Sequence, residues 1–185
     1  MKLKKFNFKN VNSTNDIAIR LIKKTNNKFG IIIADKQKKG RGQRGNIWIS
    51  YKGNLFVSIF FSLEQINMSL KQLTKANIFL IKKALSRFCK KKIHIKPPND
   101  LLINKKKICG ILQESLKKAS TTYFIVGIGI NIIKSPNIEN YPTTSILELT
   151  KIKVNKKKII SELVNTYEKF IYSVSKLNLK KVKNF

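Results

Sequence analysis

ICGILQESL, at residues 108–116, and TYFIVGIGINI, at residues 122–132, are the two apolar runs that decide the expected fold. Each run has the length of a buried strand and is bounded by polar residues. Residues 101–103 form a third, shorter apolar run, and the polar residues 104–107 that follow it predict a hairpin. Hairpin connections between strands are typical of an α+β domain.

The rest of the chain alternates further strands with helices. Apolar or alternating runs predict strands at residues 2–8, 29–34, 54–61 and 93–95. Helical spacing predicts a helix capped at Ser13, a long helix at 70–88, a short one at 145–150 and a terminal one from 155 to about 176. No repeat is present, and at roughly 150 residues per domain the length corresponds to one domain. We therefore expect a single α+β domain, residues 1–185, with a mixed β-sheet covered by helices.

The chain is strongly basic. It has 39 basic and 9 acidic residues, a net charge of +30, which by itself suggests an anionic partner such as nucleic acid or a membrane surface. Only four of the basic residues are arginine, and the lysines are dispersed along the whole chain, which is typical of a drift in composition. Under such a drift, arginine is kept where a planar guanidinium with several donors is needed. Two of the four, Arg41 and Arg44, lie in one loop.

Cysteine, histidine and hydropathy exclude several classes of protein. Cys89 and Cys109 are an isolated pair in a chain without an apolar signal segment, which predicts buried, reduced thiols and a cytoplasmic location. No apolar run approaches the roughly 18 residues of a membrane span. His94 is the only histidine, so a metal site with several histidine ligands is impossible, and we expect no protein-built metal site.

GRGQRGNIW, at residues 40–48, has the composition of an anion-binding loop. Its three glycines let backbone N–H groups close around an anion, while Arg41 and Arg44 offer bidentate contacts to phosphate or carboxylate. The surrounding stretch, residues 35–53, has no strand or helix pattern, and loops of that length are usually functional or disordered. No Gly-Lys-Ser/Thr follows, which excludes a Walker loop. The alternatives are a flexible surface loop and, for Trp48, a core anchor.

Two other segments combine polar groups with bare backbone. Pro97-Pro98 holds Asn99 and Asp100 at the start of a strand, where an amide and a carboxylate can face a pocket, although the same pattern is common in turns. The glycines in the second apolar run, at positions 127 and 129, leave one strand face bare, either for a flat ligand or for a packed neighbour.

The strand that begins at Lys107 carries a further glycine, Gly110. Glycine inside a strand marks a close approach by a ligand or another backbone. The alternative for this segment is a hairpin with solvated lysines. Strand alternation predicts one face with Lys107, Cys109 and Ile111 and the opposite face with Ile108, Gly110 and Leu112.

The order and spacing of these segments closely resemble those of the biotin protein ligases. The matching segments are Ser13-Thr14-Asn15, Gly40-Arg41-Gly42 to Trp48, Pro98-Asn99-Asp100, Lys107 to Glu114, and Gly127-Ile128-Gly129-Ile130-Asn131. The resemblance covers about residues 3–175. It implies a mixed, mostly antiparallel sheet of the kind found in class II aminoacyl-tRNA synthetases and in biotin and lipoate ligases. It also implies that the protein uses ATP and Mg²⁺ to convert biotin to biotinyl-5′-adenylate and passes biotin to a lysine of a biotin carboxyl carrier protein, such as a subunit of acetyl-CoA carboxylase.

The resemblance implies a role for each matched residue. Ser13, Thr14 and Gln37 match positions that hold the biotin ring. Gly40 and Arg41 match the loop that folds over biotin and phosphate. The resemblance assigns the other contacts with the ligand to residues of the central strands and to residues that neighbour these positions in the matched motifs.

Lys107 matches the lysine that meets the biotin carboxylate and the α-phosphate, Gly110 gives these groups room, and Asn131 matches a nucleotide contact. The expected catalytic residues are Lys107, Arg41 and Asp100. The expected ligand-binding residues are Ser13, Thr14, Asn15, Gln37, Gly40, Arg41, Gly42, Arg44, Trp48, Asn99, Lys107, Gly110 and Asn131.

The chemistry of these residues agrees with such a reaction. Attack of a carboxylate on an α-phosphoryl group brings two anions together, so catalysis needs positive charge and fixed N–H donors more than a general base. Arg41, Arg44 and Lys107 supply the charge, and the glycine-rich backbone supplies the donors. The transfer step needs a neutral acceptor amine, which Asp100 is expected to orient or deprotonate.

Three features depart from the family pattern. Pro97 stands where members commonly have Trp, which predicts a different wall of the biotin pocket. Gln43 replaces a loop residue that is commonly Arg. The chain also begins at the catalytic domain and stops at Phe185, so we expect neither an N-terminal DNA-binding domain nor a C-terminal barrel domain, and no transcriptional repression.

Two other functions are considered. A lipoate or octanoate ligase or transferase on the same fold is disfavoured, because the Gly-Arg-Gly loop and the strand from Lys107 to Gly110 match the biotin branch. A basic nucleic-acid-binding module is suggested by the charge of +30; aromatic residues interleaved with arginine on one sheet face would favour it, whereas the dispersed lysines disfavour it. We therefore expect no specific nucleic acid partner, no membrane partner, and either a monomer or a homodimer.

Overall fold

The computed structural model describes residues 1–182, with side chains up to residue 176. The strands are β1 (Lys4–Val11), β2 (Phe29–Gln37), β3 (Leu55–Ser62), β4 (His94–Lys96), β5 (Asp100–Ile103), β6 (Lys106–Lys118) and β7 (Thr121–Ile130). The helices are α1 (Thr14–Lys24), α2 (Leu70–Ser86), α3 (Ile146–Thr150) and α4 (Lys156–Val182), and a short 3-10 turn covers Gln43–Gly45.

The strands form a seven-stranded sheet in the order β1-β2-β3-β7-β6-β5-β4. β1 and β2 are parallel, which requires the crossover helix α1 between them. The other neighbouring strands are antiparallel, and tight hairpins join β5 to β6 and β6 to β7. The sheet is therefore mixed and mostly antiparallel, which confirms the predicted α+β class.

Helices cover both faces of the sheet, but unequally. α2 and α4 pack over the larger apolar core. On the opposite face, Ala18 and Ile22 of α1 pack against Phe60 and Ile125. Because α1 has only 11 residues, part of this second face is left for loops to cover, and the cleft described below lies there.

The long loop predicted from residue 35 begins later than expected. β2 continues past Ala34 to Gln37, because the β1 register pairs Val11 with Gln37. The extension holds the Gln37 side chain on a strand instead of in a loop. The end of β2 therefore fixes the position of Gln37, which is one of the expected ligand-binding residues.

The predicted alternation of β6 is wrong for both Lys107 and Ile108, which lie on the faces opposite to those expected. Leu101 pairs with Cys109 but Leu102 pairs with Lys107, so Ile108 is an extra, bulged residue. The bulge turns Lys107 toward Gly110, where the Lys107 Cε atom lies 3.2 Å from the position of an added Cβ. Ile108, Cys109 and Ile111 all join the core on the α2 and α4 side. Lys107 therefore shares the cleft face with Gly110.

The two cysteines behave as predicted. Cys89 and Cys109 are both free and buried. Burial raises the pKa of Cys89 to about 11 and raises the pKa of Cys109 as well, so both thiols stay protonated at neutral pH. In the part of the chain that the structure describes, no helix is long and apolar enough to span a membrane.

Candidate active site

A cleft of about 550 Å³ opens on the sheet face that α1 leaves uncovered. Its walls are the segment after β2, the Pro97-Pro98 segment and the loop before α3. The structure brings together every predicted site residue except Gly40: Ser13, Thr14, Asn15, Gln37, Arg41, Gly42, Arg44, Trp48, Asn99, Asp100, Lys107, Gly110 and Asn131.

The floor of the cleft follows from strand alternation. On β7, Tyr123 and Ile125 pack under α1, and the next residues on the same face are Gly127 and Gly129. Gly110 of β6 is paired directly opposite Gly129. Two adjacent strands thus lack side chains at the same level, so the backbone itself forms the floor.

Trp48 lies on this floor. A methyl group at Gly110 or Gly129 would overlap its indole ring, and one at Gly127 would overlap the Asn15 side chain. The indole Nε1 is buried without a hydrogen-bond partner. Trp48 is thus a wall of the cleft and not the alternative core anchor. The glycines at 110 and 129 permit its close approach.

The predicted anion loop folds as a small hairpin beside the cleft. Arg41 pairs with Ile47, and the Trp48 N–H donates to the Gly40 carbonyl at 2.9 Å. The tip turns at Arg44, which has a φ of 54°. Gly40 is buried behind the cleft, where a side chain would overlap the Trp48 backbone, so this glycine supports the hairpin and does not line the cavity.

Arg41 is bound to two carboxylates. Its Nη1 donates to Glu114 Oε1 at 3.0 Å, its Nη2 donates to Glu114 Oε2 at 2.8 Å, and Nη2 lies 2.9 Å from Asp16 Oδ1. The hydrogen bonds to Glu114 are the main cause that raises the pKa of Arg41. A lysine cannot form this bidentate contact, as the argument from arginine scarcity predicts. Arg41 therefore ties the hairpin to β6 and to α1.

A buried polar network begins α1 at the inner end of the cleft. Gln37 Oε1 accepts hydrogen bonds from the Thr14 N–H at 2.8 Å and from its hydroxyl at 3.1 Å. Ser13 occupies the predicted N-cap position but makes no capping bond through its side chain, so Gln37 supplies the acceptor instead. Asn15 Nδ2 donates to Glu114 Oε2 at 2.6 Å.

Ser58, in the middle of the apolar strand β3, completes this network. It is fully buried, and its Oγ lies 2.7 Å from Thr14 Oγ1 and within hydrogen-bond distance of Asn15 Oδ1. Asn15 Oδ1 carries no proton and the Thr14 hydroxyl donates to Gln37, so both neighbours are acceptors for the single Ser58 proton. Ser58 therefore fixes the first turn of α1 against the sheet.

We expect Ser58→Ala to destabilise the protein by about 1 kcal/mol or more, because it leaves the buried Asn15 Oδ1 without a partner and removes one of the two partners of the Thr14 hydroxyl. Urea unfolding would measure the loss as a lower midpoint with an unchanged slope. Ser62→Ala is the control, since the Ser62 hydroxyl accepts one bond at the strand end, from the Glu64 N–H. Equal losses in the two variants would contradict the network.

Lys107, Asp100 and Tyr141 form a second polar cluster, at the other end of the floor. Lys107 Nζ lies 2.9 Å from Asp100 Oδ1, and the Tyr141 hydroxyl donates to Asp100 Oδ2 at 2.6 Å. Lys107 Nζ is also 5.4 Å from the ring centroids of both Trp48 and Tyr141. Burial, followed by the bond to Asp100 and its charge, raises the pKa of Tyr141, which keeps this phenol a donor at neutral pH.

The two predicted asparagine contacts have structural partners. Asn99 Nδ2 donates to the Ile111 carbonyl at 3.2 Å, and Asn131 Nδ2 donates to the Thr144 carbonyl at 3.3 Å. Both side chains line the cleft while they hold its walls together. Arg44 lies exposed at the mouth.

Four residues at the site were not selected from the sequence: Asp16, Ser58, Glu114 and Tyr141. Glu114 carried a usable signal, because it follows Gly110 and Leu112 on the same face of β6 at a spacing of two residues. The other three residues carried no such signal. A serine in an apolar strand (Ser58), an acidic residue in a first helical turn (Asp16) and a tyrosine in a proline-containing loop (Tyr141) are all common.

Residues 7–131 match the model of the Biotin/lipoate A/B protein ligase family. The match covers more than half of the chain, and the chain belongs to this family. The expected resemblance to the biotin protein ligases is confirmed by the individual relatives that follow.

A solved biotin protein ligase from Aquifex aeolicus, in complex with biotin and ATP, has 30% sequence identity and a TM-score of 0.74, over 98% of this chain and 72% of that chain. The bifunctional ligase/repressor BirA of Bacillus subtilis is 30% identical over 147 residues, which are 75% of this chain and 45% of that protein. A biotin--[acetyl-CoA-carboxylase] ligase of Paracoccus denitrificans is 31% identical over 109 residues, which are 57% of this chain. The matches span 45% of the length of each of these two curated relatives.

Proposed function

We propose that this chain activates biotin with ATP to biotinyl-5′-adenylate and transfers biotin to a specific lysine of a biotin carboxyl carrier protein. The observation that carries the proposal is the placement of the Lys107–Asp100 pair beside the Trp48 indole, which covers the glycine floor, in the same cleft as the Thr14 and Gln37 network. The names of the relatives, which are biotin ligases, support biotin as the substrate.

The first step forms a bond between a biotin carboxylate oxygen and the α-phosphorus of ATP, and the bond from that phosphorus to the pyrophosphate oxygen breaks. Two anions must meet, so a fixed cation where charge accumulates is the main requirement. Lys107 provides the cation, and the adjacent rings of Trp48 and Tyr141 limit water around it. The glycines at 110 and 129 let the Trp48 indole lie flat against the sheet, so the reactants meet this ring beside Lys107.

In the proposed reaction, Arg41 exchanges the carboxylate of Glu114 for a phosphate of the ligand. A phosphate gains a bidentate contact with both Nη atoms only when the bonds to Glu114 and the ion pair with Asp16 open. The Arg41 and Glu114 side chains are 38% and 27% exposed, so opening costs on the order of 1 kcal/mol or less. In this proposal the hairpin opens as Arg41 leaves Glu114 and closes when Arg41 meets the ligand.

In the second step the neutral acceptor amine attacks the acyl carbon, the bond to AMP breaks, and the amine releases a proton. Asp100 orients this amine. Each of its carboxylate oxygens already accepts a hydrogen bond or an ion pair, but each retains a further lone pair for the incoming N–H group.

Mg²⁺ is proposed to enter with the triphosphate, where it would neutralise phosphate charge. In the described part of the chain, no group of three or more His, Cys, Asp or Glu side chains gathers to hold a metal ion. This set of residues fits a Mg²⁺ ion that is coordinated mainly by phosphate oxygens, with at most one or two carboxylate ligands from the protein. Asp100 lines the cleft and Glu114 lies beside it, and they are the available carboxylates.

The proposed partner is the carrier subunit of acetyl-CoA carboxylase or of a similar biotin-dependent carboxylase. The reaction would take place in the cytoplasm, where both cysteines stay reduced, with the enzyme as a monomer or homodimer. Neither a membrane nor a specific nucleic acid is needed.

The direct test is to incubate the protein with ATP, Mg²⁺, biotin and a carrier domain, and to blot the products with streptavidin. Label on the carrier lysine that depends on both ATP and biotin would support the proposal. Label on lipoate or octanoate acceptor domains, with none on the biotin carrier, would favour the second candidate, a lipoate or octanoate ligase or transferase, which the shared family keeps in consideration.

We also expect any binding of polynucleotides to be weak and purely electrostatic, because dispersed lysines release counterions but read no bases. Fluorescence anisotropy with unrelated single- and double-stranded sequences should give equal affinities that fall steeply between about 50 and 200 mM salt. Sequence-selective binding that persists at high salt would support the nucleic-acid module instead.

A further inference from the structure

The loop before α3 is attached to the backbone of Lys107. The Lys107 N–H donates to the Pro142 carbonyl at 2.9 Å, and the Thr144 N–H donates to the Lys107 carbonyl at 3.0 Å. These bonds fall at the β6 bulge, where the partner strand leaves the regular register. The loop and Lys107 are therefore held together as one unit.

This attachment places Tyr141 over the carboxylate of Asp100. The phenol donates to Asp100 Oδ2, while Lys107 occupies the side of Oδ1. Lys96, from β4, makes a cation–π contact with the Tyr141 ring, with its Nζ 4.1 Å from the ring centroid. Lys96 is not part of the ion pair between Lys107 and Asp100. The Asp100 carboxylate is thus contacted at both oxygens, by a hydrogen bond at Oδ2 and by an ion pair at Oδ1, and these two contacts favour one orientation.

The groups that face Asp100 come from three elements. Lys107 and the buried thiol of Cys109 belong to β6, Tyr141 belongs to the loop, and Lys96 belongs to the adjoining strand. Lys107 is assigned to the adenylation step. Tyr141 has no comparable charge to offer a phosphate, and its polar atom is directed at Asp100.

We propose that Tyr141 is a positioning residue for the transfer step, which holds the Asp100 carboxylate in the orientation that receives the acceptor amine. The role rests on the proposed function and extends it to a residue outside the matched motifs. Tyr141 itself takes part in no bond that forms or breaks. In the transfer step the amine nitrogen bonds to the acyl carbon, and AMP departs with the electrons of the broken C–O bond. The proton of the amine is released to water.

The kinetic test separates the two half-reactions in Tyr141→Phe. Adenylate formation, measured as biotin-dependent exchange of pyrophosphate into ATP, should remain within about two-fold of the wild-type rate. Transfer from preformed biotinyl-adenylate to a carrier domain should slow by about ten-fold in kcat, with an unchanged KM, as expected for loss of a hydrogen bond to a charged group. Tyr172→Phe is the control, because it makes the same change at an exposed phenol of α4, outside the cleft, and should leave both half-reactions unchanged.

A second readout does not depend on activity. In protein labelled with ¹³C at the tyrosine ring carbon that bears the hydroxyl, the Tyr141 resonance, identified by its loss in Tyr141→Phe, should titrate at higher pH than exposed tyrosines. Asp100→Asn should lower the pKa of Tyr141, because it removes the carboxylate that opposes ionisation.

Different failures have different meanings. A wild-type chain that forms no adenylate overturns the proposed function and this role together. Normal adenylate formation with unchanged transfer in Tyr141→Phe overturns the role alone, and so does an equal loss in both half-reactions, which would indicate a structural residue. A Tyr141 titration that does not respond to Asp100→Asn would also overturn it.

Discussion

Lys107→Ala is expected to slow adenylate formation by at least about 100-fold. The ammonium is the cation nearest the glycine floor, and removing a single group that stabilises transition-state charge costs on the order of 3 kcal/mol. The loss should fall on kcat for pyrophosphate exchange more than on KM, because the charge is needed most when carboxylate and phosphate are forced together.

The matched control is Lys106→Ala. Lys106 is the preceding residue and is exposed, whereas the Lys107 ammonium is largely buried against Asp100. Lys106→Ala removes the same charge from the chain and should leave the exchange rate unchanged. Wild-type rates in Lys107→Ala, or equal losses in both variants, would contradict the assignment of Lys107.

Gln43→Arg is expected to increase retention of biotinyl-adenylate by about 10- to 150-fold, with the lower end favoured. The restored charge-assisted hydrogen bond corresponds to roughly 1.5 to 3 kcal/mol. Gln43 lies half-buried at the hairpin tip and lines the cleft, while the neighbouring Arg44 lies exposed at the mouth and covers part of the same region. We infer that the natural chain releases reactive adenylate and labels nearby lysines, including its own.

Self-biotinylation, counted by mass spectrometry, measures this release. Gln43→Arg should reduce the number of labelled lysines without slowing pyrophosphate exchange. Asn10→Arg adds the same charge on the exposed side of β1, outside the cleft, and should change neither quantity. A wild-type protein that already holds its adenylate tightly, with an unchanged label count in Gln43→Arg, would refute the hypothesis.

The position of Lys107 illustrates what a sequence pattern can and cannot predict. Lys107 was selected as a candidate and lines the cleft, but strict alternation placed it on the face opposite Gly110. One extra residue at Ile108 reverses that assignment. A bulge depends on how β5 and β6 pair across the sheet, and the residues of a single strand do not encode it.

The polar networks give a similar lesson. The segment that contains Arg41 was correctly identified as special, but the expected partner was an anionic ligand. In the structure Arg41 is bound to Glu114, 73 positions further along the chain. Ser58 lies 44 positions from Thr14, and Tyr141 lies 41 positions from Asp100. Such contacts depend on sheet order and loop docking, which residue type and local spacing do not report.

By itself, the sequence determined the α+β class, most strand and helix positions, the glycine floor and a set of site residues of which all but Gly40 line the cleft, because apolar periodicity and the absence of side chains act locally. Only the tertiary structure decided that Trp48 covers the floor, that Gln37 rather than Ser13 caps α1, and which groups surround Asp100. Those features arise where the bulge at Ile108, the order of the strands and the return of the loop before α3 bring distant residues within hydrogen-bond distance.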